Sequence, residues 1–293
     1  MEKSNIILSI ILLNYNGYKD TLKCIKSIQE NEKSLNYKII VVDNNSKDDS
    51  IKMLSKIEDI ILIQRDINDG FAGGNNVGIK YALNKFNSKY ILLLNNDTEI
   101  LQNSISKMLS SFEKDSETGI VTCKLLKSKE KEKIDCFGGK INWNKVIGDF
   151  NYVKQEGNLY YSDICSGACM LIKKEVIEKV GYLSEDYFMY FEDLDYSVRI
   201  IEAGYRIQVV PDVIIYHKGG GTAGDASPFA IKWNTRNRII FYKKFKKYTN
   251  KIYFLAFFSI TRIIYFLKYI INLKFEYVKA LKDGIIDGIK WRK

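Results

Sequence analysis

Three apolar runs in the first hundred residues stop abruptly at polar side chains. Ile6 to Leu13 runs into Asn14-Tyr15-Asn16, Tyr37 to Val42 into Asp43-Asn44-Asn45-Ser46, and Tyr90 to Leu94 into Asn95-Asn96-Asp97. Continuous rather than alternating hydrophobicity marks strands buried on both faces, the habit of a parallel sheet. Ile60 to Ile63 adds a shorter strand. Helical spacing fills the gaps. Leu22, Ile25 and Ile28 follow Asp20 or Thr21 as a cap. Ile51, Leu54 and Ile57 follow a cap within Ser46 to Ser50, and Ile79, Ala82 and Leu83 follow a glycine-rich loop from Gly70 to Gly78. The βαβαβαβ order predicts an open, mainly parallel, Rossmann-like sheet with helices on both faces. Such sheets bind ligands at the carboxyl ends of their strands, where Asn14, Asp43, the glycine loop and Asp97 all fall.

Past residue 100 the pattern loosens. Residues 120–165 read as irregular short segments. Ala168 to Ile172 reads as a strand, Glu175 to Val180 as a helix ended by Gly181, and Arg206 to Val210 as a strand stopped by Pro211. Glu192 to Ala203 is an amphipathic helix with Leu194, Val198 and Ile201 inward and Gly204 at its end. Its first turn holds three acids. Glu192 and Asp195 share a face, Asp193 points elsewhere, and Arg199 is placed to pair with Asp195. Gly219-Gly220-Gly221 reads as a mobile loop, with a domain boundary near 225.

Charge changes the picture more than composition does. The chain of 293 residues has 45 Lys or Arg against 35 Asp or Glu, yet residues 226–293 hold 16 basic against 3 acidic residues. The first part is therefore near neutral and the tail is a basic helical extension that asks for an anionic partner, a membrane surface or a nucleic acid. Within it, Ile252 to Ile271 is long enough to span a bilayer, but Arg262 and Lys268 interrupt it. Lys243, Lys244, Lys246 and Lys247 alternate with aromatic residues just before it. An interfacial helix at an anionic membrane surface fits this best. The alternative is a helical hairpin packed on the first part or on a second copy in a homodimer. Five cysteines, without CxxC spacing, read as reduced cytosolic thiols, and Ile6 to Leu13 is too short for a signal peptide.

The candidate chemistry lies at the strand ends and in the acidic helix. Asp97 with Asn95, Asn96 and Thr98 suits one divalent cation and a phosphorylated ligand. Asp43 can accept from a base N–H or a ribose hydroxyl. Gly73 lets backbone approach a ligand closely, and Asn45, Asn75 and Asn76 offer amide groups. Acidic strand ends followed by an acidic cluster suggest an enzyme that binds a nucleotide and removes a proton. Trp233, Arg236, Asn237 and Arg238 form a basic-aromatic patch. There Arg236 could face a donor diphosphate or equally an anionic acceptor lipid, and Trp233 an acceptor.

Four motifs carry a resemblance: Val42-Asp43-Asn44-Asn45-Ser46, Gly70-Phe71-Ala72-Gly73-Gly74-Asn75-Asn76, Leu94-Asn95-Asn96-Asp97 and Phe191-Glu192-Asp193-Leu194-Asp195. In this order the chain resembles the family 2 glycosyltransferases, in particular their rhamnosyltransferase-like branch, from about Ile7 to Phe241. The resemblance implies a GT-A fold over 1–225 and a nucleoside-diphosphate sugar donor. It further implies a Mg2+ or Mn2+ cofactor and inversion at the anomeric carbon. It makes Asp43 the nucleoside contact, Asp97 the metal ligand, His217 a completing metal ligand and Asp193 the catalytic base. Asn14, Asn45, Gly73, Asn75, Asn76, Asn96 and Arg236 are expected on the donor side, and Glu192 and Trp233 on the acceptor side. Here Asn95 replaces the first acid of a DXD-like motif, leaving one carboxylate for the cation. A UDP or dTDP donor, a glycan or lipid-linked acceptor and cell-surface polysaccharide synthesis on the cytoplasmic side of the membrane are the expectations. The other readings are a nucleotide-sugar-binding protein without turnover and a membrane- or nucleic-acid-binding protein acting through its tail. No base-reading motif supports nucleic acid.

Overall fold

The computed structural model describes residues 7–219 and 227–292, which fall into two compact units. The first holds residues up to Lys140, Phe150–Phe188 and Glu192–Gly219; the second holds Ile141–Asp149, Met189–Phe191 and the chain from Gly220 on. Of the glycine loop read at 219–221, Gly220 and Gly221 lie outside the described residues.

The first unit begins β1 (Leu8–Asn14), α1 (Tyr18–Asn31), β2 (Tyr37–Asp43), α2 (Ser50–Leu54), β3 (Ile60–Gln64), α3 (Gly70–Phe86) and β4 (Tyr90–Asn95). It continues through β5 (Thr98–Ile100), α4 (Ser104–Ser110), β6 (Thr118–Lys127) and β7 (Ile134–Cys136). A separate ribbon of β8 (Gly139–Asn142) and β9 (Ile147–Phe150) follows, its tip counted in the second unit. β10 (Lys154–Glu156), β11 (Leu159–Ser162), β12 (Cys169–Lys173), α5 (Lys174–Val180), α6 (Glu192–Glu202) and β13 (Arg206–His217) complete it. Eleven strands form one sheet in the order β10-β11-β13-β6-β12-β4-β1-β2-β3, with β5 on β13 and β7 on β6. The β4-β1-β2-β3 half is parallel, and β12 runs antiparallel between β4 and β6.

Alternate residues of the doubly buried strands feed two cores. Leu8, Ile10, Leu12, Ile39, Val41, Leu92 and Leu94 meet α1 and α4 on one face. Ile11, Ile40, Val42, Ile91 and Leu93 meet α3, α5 and α6 on the other. Each fully buried aliphatic side chain contributes about 1.5–3 kcal/mol, so these runs dominate the stability of the sheet and hold its carboxyl edge in place.

Several local expectations change. The Gly70–Gly78 segment is not a loop but the first half of α3. Its glycines are there for packing: a Cβ on Gly74 would sit 2.3 Å from Leu13 Cδ1, and one on Gly78 2.6 Å from Ile11 Cγ2. Close apposition of helix and sheet outweighs the ~1 kcal/mol helix penalty of each glycine. The stretch read as irregular contains β6, ten residues long and central to the sheet. β13 runs through Pro211, which falls inside a register shift between Val210 and Ile214 on β6, where a ladder donor is not needed. Neither Asp20 nor Thr21 caps α1, which starts at Tyr18. The cap position of α2 is Asp49, within Ser46 to Ser50 but without a side-chain cap bond, and the helix ends at Leu54, before Ile57.

The second unit contains α7 (Pro228–Lys244), α8 (Lys251–Ile271) and α9 (Phe275–Lys290). Ser227 Oγ accepts from Ala230 N to cap α7, with Pro228 at the first position. α9 lies against α7 at glycines four apart: a Cβ on Gly284 would meet Lys232 O at 2.5 Å, and one on Gly288 would meet Arg236 O at 2.9 Å. Asn250 caps α8. α8 is the one helix among the described residues long and apolar enough to cross a membrane. Only Phe254 and Phe258 of it are buried, while Ile252 is 82 % and Ile271 78 % exposed.

Candidate active site

The carboxyl ends of β1, β2 and β4 carry a continuous hydrogen-bond chain. Asn14 Nδ2 donates to Asp43 Oδ2 at 2.7 Å, and Ser46 donates to the same carboxylate through Oγ (2.6 Å) and to its other oxygen through N (2.9 Å). Thr21 Oγ1 donates to Asn14 Oδ1 (2.7 Å) and accepts from Asn96 Nδ2 (2.8 Å). Asp43 is fully buried among these donors, a rigid acceptor at a strand end. Asn14, Asn96 and Asp43, far apart in the chain, share this one network. Asn45 adopts a positive φ of 66° and accepts from Lys47 Nζ.

Three neighbouring groups carry buried polar atoms without partners: Asn44 Oδ1, Arg65 Nη1 and Asp69 Oδ1. Arg65 follows β3, its N–H donates to Asp43 O (3.0 Å), and its Nη2 pairs with Asp69 Oδ2 at 2.7 Å. Asn44 Nδ2 donates to Asn68 Oδ1 and Gly70 O. Arg65, Asp69 and Asn44 were not among the residues expected in the site. A cation at a strand end next to Asp43 was the available signal. Unmet donors and acceptors at the sheet edge are what a base or ribose can satisfy.

The glycine helix behaves differently from the expectation. Asn76, expected to face the donor, locks α3 to the segment before α6: its Nδ2 donates to Leu183 O and Glu185 Oε1, and its Oδ1 accepts from Leu183 N. Both donors of its amide are thereby committed within the protein. Asn75 Nδ2 donates to Phe71 O in its own helix, and Gly73 sits in α3 where a Cβ would meet Asp69 Cβ at 2.9 Å.

Asp97 occupies the turn between β4 and β5. Two registers bring it a partner: His217 lies opposite Thr98 on β5 and opposite Lys127 on β6. His217 Nε2 is 3.2 Å from Asp97 Oδ1 and 3.1 Å from Asn95 Nδ2. Its Nδ1 is 2.7 Å from Asp135 Oδ2, on β7. Burial alone would push the imidazole down, but the Asp135 and Asp97 carboxylates outweigh it and raise His217 to about 9. Among the described residues no three His, Cys, Asp or Glu side chains converge on a common point. The donor set still suits one small divalent cation. Asp97 and His217 stand 3.2 Å apart, near the ~3 Å between adjacent ligands with metal bonds of about 2.1 Å. Asp135 orients the imidazole as outer carboxylates do in metal sites, and the remaining positions would fall to phosphate and water. Asp135 was missed because it lies in the segment read as irregular.

α6 supplies the acids. Asp195 Oδ1 accepts from Arg199 Nε (2.7 Å) and Oδ2 from Tyr187 OH (3.2 Å), and Arg199 continues to Val180 O and Tyr182 O, so Asp195 is committed to structure. Asp193 Oδ1 accepts from Leu194 N, and Oδ2 accepts a longer bond of 3.3 Å from Gly167 N. Ala168, next to Gly167, accepts from Asn95 N at 3.0 Å, which ties the Gly167 turn that holds Asp193 to the end of β4. Burial raises Asp193, with the Gly167 and Leu194 amides pulling it partly back. Burial and then the Asp193 charge hold Glu192 well above the usual carboxylate range, and its Oε2 has no partner.

A raised carboxylate favours the fold only while protonated, so its contribution is lost as pH rises through the folded-state value. Glu192→Gln is therefore expected to gain stability over the unmodified chain as pH goes from about 5 to about 8, by a few degrees in Tm. Parallel melting curves across that range would refute the buried-charge account.

In the second unit, the Arg236 guanidinium lies 5.1 Å over the Trp233 centroid and donates to Asn237 Oδ1. Asn237 Nδ2 donates to Met189 O and Tyr190 O. It thereby holds a stretch in which Tyr190 and Phe191 both adopt positive φ, 69° and 73°, just before α6. Arg238 donates through Nε to Lys145 O at 2.9 Å.

The family model for glycosyl transferase family 2 matches residues 9–181, more than half of the chain. A low-salt glycan biosynthesis hexosyltransferase of Haloferax volcanii is 27 % identical, over 97 % of this chain and 92 % of the relative. A dTDP-rhamnosyl transferase of Shigella flexneri is 24 % identical over 93 % of each. Among solved structures, GalNAc-T7 with UDP, GalNAc and Mn2+ superposes with a TM-score of 0.63 at 14 % identity, over 83 % of this chain. This chain spans about half (48 %) of that protein's length. The fold is the GT-A arrangement.

Proposed function

The chain belongs to glycosyl transferase family 2, and from that premise we propose an inverting, cation-assisted transfer of a sugar from a nucleoside diphosphate to a hydroxyl of a glycan or lipid-linked acceptor. One observation supports it most. Gly167 N bonds Asp193 and Ala168 O bonds Asn95 N, so the raised acid of α6 is tethered to the strand end that carries Asp97.

In this reading Asp43, with Asn14 and Ser46 fixing it, accepts from the nucleoside, and Arg65, Asp69 and Asn44 offer their unmet polar atoms to base or ribose. Asp97 and His217 would hold Mg2+ or Mn2+ beside the diphosphate. When bound, the ion neutralises charge that develops on the leaving group. The acceptor oxygen attacks the anomeric carbon opposite the diphosphate while its proton passes to Asp193. The bond to the phosphate oxygen breaks, and its electron pair leaves with the nucleoside diphosphate. Inversion follows from that single displacement. Burial tunes Asp193 toward the basicity a proton acceptor needs. Glu192 lies beside it toward the acceptor. A dTDP donor is favoured by the Shigella flexneri relative, and a UDP donor by the solved neighbour. Synthesis of a cell-surface glycan, at the cytoplasmic face of the membrane with α8 lying in the interface, is the setting that the exposed apolar helix favours.

Calorimetric titration of UDP and dTDP, with and without Mn2+, tests the donor site. Binding of one of them that strengthens with Mn2+ is expected, and Asp97→Asn should remove most of that gain, on the order of 10–100-fold in affinity. A strengthening by Mn2+ in Asp97→Asn as large as in the unmodified chain would exclude Asp97 as the ligand.

A further inference from the structure

α7, α8, α9 and the turn between α8 and α9 line an open cavity of about 490 Å3 that belongs wholly to the second unit. Arg262, Lys268 and Lys274 line it together with Tyr265, Tyr269 and Tyr277, and none of its described lining residues is acidic. The Arg262 guanidinium lies 5.2 Å from the Phe258 ring centroid and 5.1 Å from that of Tyr265. Its Nη1 donates to Thr235 Oγ1 at 3.0 Å, while its Nε is buried without a hydrogen-bond partner. Burial and then the like charge of Arg262 hold Arg238 below the usual guanidinium range. Arg262 is half-buried, no carboxylate is among the cavity's described lining residues, and an anion in the cavity would offset the cost of withdrawing this cation from water. The volume suits a head group rather than a whole glycan. The same helix that carries Arg262, Tyr265 and Lys268 turns Ile263, Ile264, Leu267 and Ile271 outward, all well exposed.

We propose that this cavity binds the phosphate of a membrane lipid head group, whose hydrocarbon chains lie along the exposed apolar side of α8. The guanidinium supplies planar donors matched to phosphate oxygens, Lys268 and Lys274 add charge, and the tyrosine hydroxyls supply neutral donors. A free nucleotide is disfavoured as occupant because the cavity borders the apolar helix and contains none of the residues at the strand ends. The site rests on the interfacial reading of α8, but not on the donor chemistry.

Co-sedimentation of the full chain with vesicles tests it. Phosphatidylcholine vesicles are compared with the same vesicles containing phosphatidic acid, whose phosphate is exposed, with inorganic phosphate as competitor. The unmodified chain is expected to bind the phosphatidic acid vesicles more tightly, and Arg262→Gln to lose at least ~10-fold of that affinity. Loss of one peripheral lysine charge, as in Lys246→Gln, should cost only ~5-fold. Lys268→Gln, at an exposed position that folding tolerates, should lose more than Lys246→Gln. Losses at Arg262 and Lys268 no larger than at Lys246 would overturn the site in favour of diffuse surface charge, while retained phosphatidylcholine binding would leave the interfacial reading standing. Binding to no vesicle would overturn both. A rise in Tm with inorganic phosphate, lost in Arg262→Gln but without vesicle binding, would assign the cavity to a soluble phosphate instead. UDP binding by Arg262→Gln should equal that of the unmodified chain in every case.

Discussion

Asp193→Asn is expected to lower kcat by about 10^3-fold, within the range general-base catalysis supplies, while nucleotide affinity stays unchanged. The substitution is nearly isosteric. The oxygen that accepts from Leu194 N or Gly167 N can be kept, so the first turn of α6 should survive. Burial raises Asp193, so removing its charge also removes a cost of folding at neutral pH, and Tm should hold or rise. That combination separates a proton acceptor from a helix-end charge: a purely structural carboxylate would lose stability and spare kcat. The pH profile adds a second readout. The base works only when deprotonated, so activity should fall as pH drops through a midpoint above the ~3.9 of an ordinary aspartate. A variant that melts lower but turns over normally would remove Asp193 from the mechanism.

Gly70→Ala should cost the fold about 3 kcal/mol or more, roughly 6–12 °C in Tm. Gly70 has φ 78°, and a Cβ there would stand 1.9 Å from Phe188 O and 2.6 Å from Phe188 C. These are backbone atoms of the segment leading to α6. Phe71 N donates to Phe188 O at 2.7 Å, so the two chains cannot separate without losing that bond. Gly181 provides the control, with φ 87° and nothing within 4 Å of a built Cβ. Gly181, with ψ −167°, sits in a backbone region that only glycine adopts readily, so Gly181→Ala should cost the backbone strain alone, about 1–3 kcal/mol. Equal melting of the two variants would show that positive φ alone, and not the close approach, requires glycine at position 70. The same contact lies beside the site: Asn44 donates to Gly70 O, so Gly70→Ala should also weaken nucleotide binding in whatever fraction folds.

The elements that sequence reading found and missed divide along a physical line. β1, β2 and β4 were legible because burial on both faces makes the whole run apolar, and Asp43 and Asp97 because a polar residue ending such a run has one place to go. The Asp195–Arg199 pair was legible because four residues on a helix are neighbours. β6 was not, because Thr118, Thr122 and Lys124 interrupt its apolar residues and no local rule says that a second strand will cover them. The glycine helix was misread because intrinsic preference favours a loop there, whereas the side chains of Leu13 and Ile11 leave room only for glycine on a helix packed close.

The sequence by itself determined the order of buried strands, the placement of acids at their carboxyl ends, the acidic start of α6 and the basic, aromatic character of the last 68 residues from 226 to 293. All of these follow from short-range patterns of polarity. Only the tertiary structure decided that Asp135 orients His217 across 82 residues, that Asn76 is spent on Leu183, and that Arg65 joins Asp43. It also decided that Arg262 faces a cavity lined with cations and tyrosines. Those outcomes depend on strand register, helix packing distance and which buried polar atoms find partners, and such long-range quantities leave no periodic mark in the chain.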